Sequence, residues 1–238
     1  MQNTSSDIDR TVGEIVADDY RTAKVFEKYG VDYCCGGKTT LSDICLEQGI
    51  DRAEMVREIE AVKNTPIERS QNYAAWTNSF LADYIINTHH TYLKENLDQI
   101  AAYTTKIAQV HGEKHPEVRE IAALFAKIVK DLSAHLREEE EVCFPAIKRV
   151  EEAKKLGKSP SVEDIETIAR TLEKFDVEHN EVGEAAHKIR RLAKDYALPD
   201  DACNTFMITY QKLKEFEEDL HKHVHLENNV LFPKVSVI

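Results

Sequence analysis

Two stretches of this 238-residue chain decide its fold: DLSAHLREEEEVCFP at residues 131–145 and DLHKHVHLENNVLFP at residues 219–233. Both follow the pattern D-x3-H-x3-E-x4-F-P, and the second copy begins 88 residues after the first (219 minus 131). The chain before each motif repeats as well, since His90 lies 45 residues before His135 and His179 lies 44 residues before His223. An internal duplication of a pair of helices explains this pattern.

The repeat lies within four long segments of helical periodicity, at residues 78–110, 116–150, 162–195 and 200–230. The links between them are short and carry Pro116, Pro160 and Pro199, while Ser161 with Asp164 has the pattern of an N-terminal cap. Short links between long amphipathic helices make neighbours antiparallel. The fold class predicted is therefore all-α, with an antiparallel four-helix bundle over residues 78–238.

A small helical domain is predicted before the bundle, over residues 1–63. It contains the run Cys34-Cys35-Gly36-Gly37, and its last helix opens at Asp51 with Glu54 three residues on, the spacing of a capping box. Residues 64–72 form a polar segment that contains the helix breaker Pro66, and residues 64–77 are predicted to be a linker.

Composition excludes several classes of protein. Lys and Arg number 31 against 43 Asp and Glu, a net charge of −12 that argues against binding to nucleic acid or an anionic membrane. With only 8 Gly and 6 Pro, an all-β fold is disfavoured. Five cysteines, two of them adjacent, do not form a secreted disulfide framework, and residues 1–10 do not resemble a signal peptide. We therefore expect a cytoplasmic protein without a membrane segment.

Helical phase selects six residues as candidate metal ligands. Each of the four bundle helices places a histidine in its apolar stripe, and two helices add a glutamate one turn later. Burying these groups without partners would cost several kcal/mol each, whereas a pair of metal ions would satisfy them. The N4O2 donor set suits iron or manganese better than calcium or magnesium. The candidates are His90, His135, Glu139, His179, His223 and Glu227.

The same residues allow other interpretations. A single inward histidine is usually a hydrogen-bonded core residue, and the run from Glu138 to Glu141 would by itself be a solvated face. Four phased positions that recur with one offset favour the metal site. Asp131 and Asp219, one turn before the motif histidines, are expected either to accept the second imidazole N–H or to be exposed acids. The other histidines are expected at the surface: His89, His111, His115, His187, His221 and His225.

The adjacent thiols of Cys34 and Cys35 allow two interpretations. Gly36 and Gly37 permit a sharp turn, and a helix opening at Leu41 would stabilise a nearby thiolate and make it more reactive. The functional hypothesis is redox chemistry or metal handling, and the alternative is two small packed residues in a turn. Cys45, Cys143 and Cys203 fall within helical segments and are interpreted as structural.

Residues 78–238 resemble hemerythrin-like di-iron domains, and the whole chain resembles the iron–sulfur cluster repair di-iron proteins of the Repair of Iron Centres family. The resemblance rests on the vicinal cysteine pair followed by two glycines and on residues 225–233. It implies iron ligands at the six positions that helical phase selects. Oxygen-carrying hemerythrins have a second histidine one turn after the third-helix histidine, where this chain has Gly183, so simple oxygen carriage is disfavoured.

The resemblance implies a cofactor of two iron ions, with an oxo bridge among the expectations, and a role in repairing iron–sulfur clusters damaged by nitrosative or oxidative stress, by supplying iron. It also leaves two alternatives open: reduction of nitric oxide or peroxide at the same centre, and a hemerythrin-like redox or gas sensor. The partners implied are damaged iron–sulfur proteins, small gas or oxidant ligands and a second copy of the chain in a homodimer.

Overall fold

A computed structural model describes residues 9–66 and 72–236. Over those ranges the chain is helical and forms no β-strand, apart from an isolated bridge between Thr11 and Thr40. This confirms the all-α class. Part of the predicted linker, residues 67–71, lies outside the described residues, and the predicted domain boundaries stay a prediction. By contacts, the chain divides into Met1–Leu81 with Val224–Ile238 and, as a second unit, Ala82–His223.

The helices follow one another along the chain with short interruptions. Those before residue 76 are α1 (Val12–Asp18), a 3-10 turn (Tyr20–Thr22), α2 (Ala23–Lys28), α3 (Leu41–Gln48), α4 (Arg52–Lys63) and a 3-10 turn (Tyr73–Ala75). The later ones are α5 (Asn78–Ile85), π1 (Ile86–His90), α6 (Thr91–His111), α7 (Glu117–Glu138), π2 (Glu139–Cys143), α8 (Phe144–Lys155), α9 (Val162–Leu192), α10 (Asn204–His225), π3 (Leu226–Leu231) and α11 (Phe232–Ser236), where π denotes a π-helical turn.

Side-chain caps fix several helix starts. The Ser161 hydroxyl accepts the N–H of Asp164 at the start of α9, as the sequence predicts. The Asp51 carboxylate accepts the N–H of Glu54 at the start of α4, again at the predicted position. Thr40 caps α3, which begins at Leu41 as expected. Local sequence therefore sets these boundaries.

The unit Ala82–His223 is a four-helix bundle. α7 packs against both α6 and α9, and the ring of Phe125 on α7 meets that of Phe216 on α10 at 5.1 Å. The links between α6 and α7 and between α9 and α10 are short, which makes these neighbours antiparallel. Phe125 is fully buried, which stabilises the bundle by about 1.5–3 kcal/mol relative to an exposed side chain. The predicted bundle is thus confirmed.

Three π-helical turns interrupt the described helices, and the sequence analysis did not predict them. A π turn adds one residue to a helical turn and so rotates every later side chain. After π2 begins, Val142 is 36% exposed whereas Cys143 is fully buried. In a straight α-helix Val142, three residues after Glu139, would lie on the same buried face as Glu139, and the π turn places it outside instead. Since π turns occur often at functional sites, their positions direct attention to the residues they carry.

The unit that contains the N-terminus holds the two adjacent cysteines in a loop between α2 and α3. This loop pairs with the start of α1: Val12 donates its N–H to the Thr39 carbonyl and Gly13 donates to the Gly37 carbonyl, each at 2.9 Å. The stretch from Val12 to Lys28 is not one helix, because Asp19 has an extended backbone between α1 and the 3-10 turn. Its apolar residues nonetheless form the core of this unit, together with Leu41, Met55 and Ile59.

Candidate metal centre

Five of the six predicted ligands lie within the bundle unit, and all five are buried. His90 ends π1, His135 is in the last turn of α7, and Glu139 opens π2. His179 belongs to α9 and His223 to α10. None is more than 3% exposed. Four helices of the bundle thus each deliver an imidazole to its interior, and one of them adds a carboxylate.

The five side chains form two imidazole pairs with Glu139 between them. Nε2 of His90 lies 3.1 Å from Nε2 of His223, and Nε2 of His135 lies 3.0 Å from Nε2 of His179. One carboxylate oxygen of Glu139, Oε2, is 3.4 Å from His90 Nε2, and the other, Oε1, is 3.3 Å from His135 Nε2. Each oxygen therefore faces a different pair.

This arrangement offers two groups of candidate metal ligands. Ligand atoms about 2.1 Å from one ion and at right angles to each other are about 3 Å apart, which matches the spacing of both imidazole pairs. The atoms of His90, Glu139 and His223 lie within 4.8 Å of one another, and so do those of His135, Glu139 and His179. Glu139 belongs to both groups, so the buried His and Glu residues can hold metal cations.

Carboxylates on neighbouring helices orient two of these imidazoles. Nδ1 of His90 is 2.8 Å from Glu140, and Nδ1 of His135 is 2.8 Å from Glu178. A carboxylate on Nδ1 keeps the proton there and leaves Nε2 free to bind a metal. The hydrogen bond with His135 lowers the pKa of Glu178, while burial opposes that shift. Lys94 also donates to Glu140 at 2.6 Å, which keeps that partner ionised.

The two aspartates one turn before the motif histidines do not hold the imidazoles of His90 or His135. Asp131 is exposed and faces Lys127 at 3.7 Å, so it is the exposed helical acid of the second interpretation. Asp219 accepts from Nδ1 of His89 at 2.8 Å. The sequence feature that could have identified the true partners is an acid directly beside a candidate ligand, such as Glu140 after Glu139. Such a residue leaves the ligand's own face and reaches the histidine of a neighbouring helix.

His89 is the clearest correction among the other histidines. It was expected at the surface, but it is 1% exposed and its ring stacks on His223 with 5.8 Å between centroids. The cause is π1, in which the wider turn brings both His89 and His90 inward. His225 was also expected at the surface and is fully buried.

The sixth predicted ligand, Glu227, lies in π3, four residues after His223. Its side chain is fully buried, as the sequence phase predicts. The division of the chain into units falls between these two residues. Its assignment as a ligand stays a prediction.

A cavity of about 560 Å³ between α7 and α9 includes His135 and His179 in its lining. Its remaining walls combine apolar side chains with charged ones: Ile128, Leu132, Val177, Val182, Lys127, Lys174, Glu178 and Glu181. Lys127 and Glu181 are exposed, so the cavity connects the surface with two of the candidate ligands. A small molecule or ion can reach that side of the centre.

The two adjacent cysteines lie in the other unit, around the side chain of Asp32. The backbone N–H groups of Cys34 and Cys35 donate to Asp32 Oδ1 at 2.9 and 3.0 Å, and the two Sγ atoms are 3.9 Å apart. The hydrogen bond with Cys35, together with burial, raises the pKa of the Cys34 thiol well above its usual value. The expected stabilisation of a thiolate by α3 is therefore wrong for Cys34.

The loop of these cysteines is held from the C-terminal end of the chain, within the same unit. Asn229 donates its side-chain N–H to the Tyr33 carbonyl at 3.1 Å and to Nδ1 of His225 at 3.1 Å. A Cβ on Gly37 would lie 2.5 Å from that same carbonyl, so only glycine fits there. The final motif thus fixes the position of the loop.

The fold and the buried histidines define a class of protein, and comparison with known sequences agrees. Residues 81–235 match the family model of the hemerythrin HHE cation binding domain, a class of helical bundle that binds metal cations. Residues 8–63 match the ScdA_N model, which is described as a domain of unknown function.

The relatives extend over nearly the whole chain. The iron-sulfur cluster repair protein ScdA of Staphylococcus epidermidis is 32% identical over 226 residues, which cover 94% of this chain and 97% of the relative. The iron-sulfur cluster repair protein YtfE of Escherichia coli O8 is 31% identical over 229 residues, covering 95% and 96%. The chain therefore belongs to the family of the iron–sulfur cluster repair proteins.

None of the helices within residues 9–66 and 72–236 combines the length and the apolar character needed to cross a bilayer.

Proposed function

We propose that this protein repairs iron–sulfur clusters damaged by nitrosative or oxidative stress, and that it does so by supplying iron from a di-iron centre. The proposal depends on one observation. The imidazoles of His90 and His223 lie together, those of His135 and His179 lie together, and the Glu139 carboxylate faces both groups. The names of the relatives, which are iron-sulfur cluster repair proteins, support the same function.

The ligands proposed for the two ions are four imidazoles and two carboxylates. His90 and His223 would hold one ion, His135 and His179 the other, and Glu139 would bridge them. Glu227 is proposed as the second bridging carboxylate, because it is buried four residues after His223, just as Glu139 follows His135. Imidazole with carboxylate suits iron among the first-row metals. Bound iron would supply a ferrous–ferric couple and an exchangeable cargo ion.

The cavity between α7 and α9 supports exchange of that cargo. It includes His135 and His179 in its lining, and Glu178 lies at its wall with a hydrogen bond to the His135 ring. A carboxylate there attracts a cation, and Lys174 forms an ion pair with it at 3.4 Å. Through its hydrogen bond, Glu178 would keep the His135 ring in the orientation that an incoming cation needs.

The cysteine loop is proposed to handle iron, or electrons, between the centre and a client protein. Asp32, Cys34 and Cys35 offer a carboxylate and two sulfurs within 4.8 Å of one another. Because the pKa of the Cys34 thiol is raised, this thiol stays protonated until an iron ion displaces the proton. Deprotonation of Cys34 is therefore coupled to the binding of iron. Cys35 is half-buried, and a client can reach it. All five cysteines are free thiols, which fits the reducing cytoplasm as the proposed compartment.

Iron transfer tests the proposal directly. The protein is loaded with iron-57, freed of excess iron and mixed anaerobically with an apo iron–sulfur acceptor, sulfide and a thiol reductant. We expect iron-57 to appear in the acceptor cluster and the donor to lose it in proportion. If the donor keeps its iron while the acceptor stays apo, iron supply is refuted.

Reduction of nitric oxide is a second candidate, and the cavity favours it because its apolar walls suit a small uncharged gas. The two functions differ in what happens to the iron. A catalyst would consume nitric oxide over many turnovers with its iron retained, whereas a donor would be emptied by the acceptor. The Cys34→Ser/Cys35→Ser double variant should retain its iron in both cases and lose transfer or turnover. Unchanged activity would remove the cysteines from the proposal.

A further inference from the structure

A second group of metal-binding side chains lies in the bundle unit, and the repair function does not use it. His187 on α9 and Glu217 and His221 on α10 place their ligand atoms within 4.8 Å of one another. Glu217 and His221 are four residues apart and therefore on one face of α10. Glu217 is 1% exposed, while both histidines are half-buried. The carboxylate is thus anchored in the interior, and the two half-buried imidazole rings lie nearer the surface.

Two neighbours hold the carboxylate of Glu217 in place. Nε of Arg190 lies 2.9 Å from both of its oxygens, and the hydroxyl of Tyr196 donates to Oε2 at 2.7 Å. The other oxygen, Oε1, which also accepts from Arg190, lies 4.0 Å from Nε2 of His221. The ring centroids of His187 and His221 are 5.4 Å apart. A Glu217 oxygen and the two imidazoles are therefore close enough together to bind one ion.

The turn that delivers Tyr196 has an unfavourable backbone. Lys194, Asp195 and Tyr196 have φ values of 49°, 54° and 63°, in the left-handed region that costs non-glycine residues roughly 1–2 kcal/mol each. Such a run persists only where its side-chain contacts hold it. The hydrogen bond from Tyr196 to Glu217 is one of these contacts, so the turn is built around the orientation of this carboxylate.

We propose that His187, Glu217 and His221 bind one divalent first-row metal ion, with zinc as the preferred ion and water in the fourth position. Two imidazoles and one carboxylate are a ligand set of open zinc sites. The net charge of −12 favours a cation, whereas Arg190 beside Glu217 opposes it. The site is therefore weaker than the buried centre and exchanges its ion with solvent.

Cobalt(II) is the probe for this site, because its absorption reports ligand type and geometry. The iron-loaded full chain is titrated with cobalt under anaerobic conditions. We expect one further equivalent to bind with visible bands of a four-coordinate N/O site, and zinc to displace it. An intense near-ultraviolet band from sulfur ligation would place the ion at a thiol and overturn the proposal.

Variants locate the site. His187→Asn and His221→Asn should each weaken cobalt binding by at least about tenfold, the lower end of the loss that follows from removing even an indirect partner of a metal ligand. The matched control is His115→Asn, since His115 is a half-buried bundle histidine outside the cluster. Circular dichroism and iron content should be unchanged in all three. If a variant that combines His187→Asn with His221→Asn binds cobalt as tightly as the parent protein, the site is refuted.

The variant Tyr196→Phe tests whether the ion is held by an oriented Glu217 carboxylate or only by loose surface contacts. It removes only the hydroxyl that fixes Glu217, and the aromatic ring remains. We expect cobalt binding to weaken by about 10–100-fold, as for other residues that orient a metal ligand. An unchanged affinity would show that Glu217 does not bind the ion.

Discussion

Glu139 Oε2 lies 3.4 Å from Nε2 of His90, although the two residues belong to different helices and both side chains are completely buried. The other oxygen of the same carboxylate faces His135 at 3.3 Å. A carboxylate in this place cannot be an ordinary ion-pair partner for one imidazole, because it meets both pairs at once. Glu139 is therefore the residue on which the proposed two-ion centre depends.

Glu139→Gln should lose most of the iron of both ions, because the amide removes the negative charge that the two ions share. Iron content by mass spectrometry measures the loss. The unfolding free energy of the metal-free protein should not fall, since a buried charge without its metal is itself costly. Glu141→Gln is the control, as Glu141 is exposed two residues away. Equal iron content in the two variants would contradict the assignment.

Glu178→Gln should weaken iron binding without abolishing it. Glu178 holds Nδ1 of His135 at 2.8 Å, and loss of such a partner typically costs 10–100-fold in metal affinity. Competition with a chelator of known affinity measures the change. Glu181→Gln provides the comparison, because it lines the same cavity and pairs with Lys127 without touching a histidine. A loss of the same size in both variants would mean that cavity charge, rather than ring orientation, sets the affinity.

Asn229→Ala should loosen the cysteine loop while leaving the iron centre loaded. The variant removes the hydrogen bond to the Tyr33 carbonyl, which is worth about 0.5–1.5 kcal/mol. Hydrogen exchange should accelerate in residues 33–37 and stay unchanged in α9. If hydrogen exchange instead becomes faster throughout the chain, the variant destabilises the whole protein and does not act on the cysteine loop alone.

Asp164→Asn should destabilise the metal-free protein at neutral pH and much less in acid. The hydrogen bond from Arg149 lowers the pKa of Asp164 below its value of 3.8 in an unfolded chain. A lowered carboxyl pKa contributes stability that is fully present above the unfolded pKa and disappears as pH falls through the folded one. Urea unfolding at pH 7 and near pH 3 should show a difference of about 1 kcal/mol that shrinks on acidification. Glu163→Gln should show no such trend.

The bundle and the inward direction of the candidate ligand histidines could be predicted because both depend on regular helical phase. His135, His179 and His223 lie in ordinary α-helix, and their apolar neighbours reported their direction correctly. The prediction failed where the backbone left that phase. Because of the π turns, Cys143 is buried where Val142 would be in a straight helix, and His89 is buried as well. Neither composition nor residue spacing reveals the one extra residue that a π turn inserts.

Contacts between helices were the second limit. The partners of His90 and His135 are Glu140 and Glu178, whose side chains cross from other helices. The periodicity of one helix indicates the direction in which a side chain points, but it does not identify the residue of the neighbouring helix that this side chain contacts. The environment of Cys34 was mispredicted for a similar reason, since Asp32 and burial, rather than the start of α3, dominate around this thiol.

The Mössbauer spectrum of the iron-57-loaded, oxidised protein tests the central claim most directly. If His90 with His223 and His135 with His179 hold two ions joined through Glu139, the iron will be present at two atoms per chain as a magnetically coupled pair with a diamagnetic ground state. Magnetically isolated high-spin ferric iron, or a single iron per chain, would contradict a shared centre.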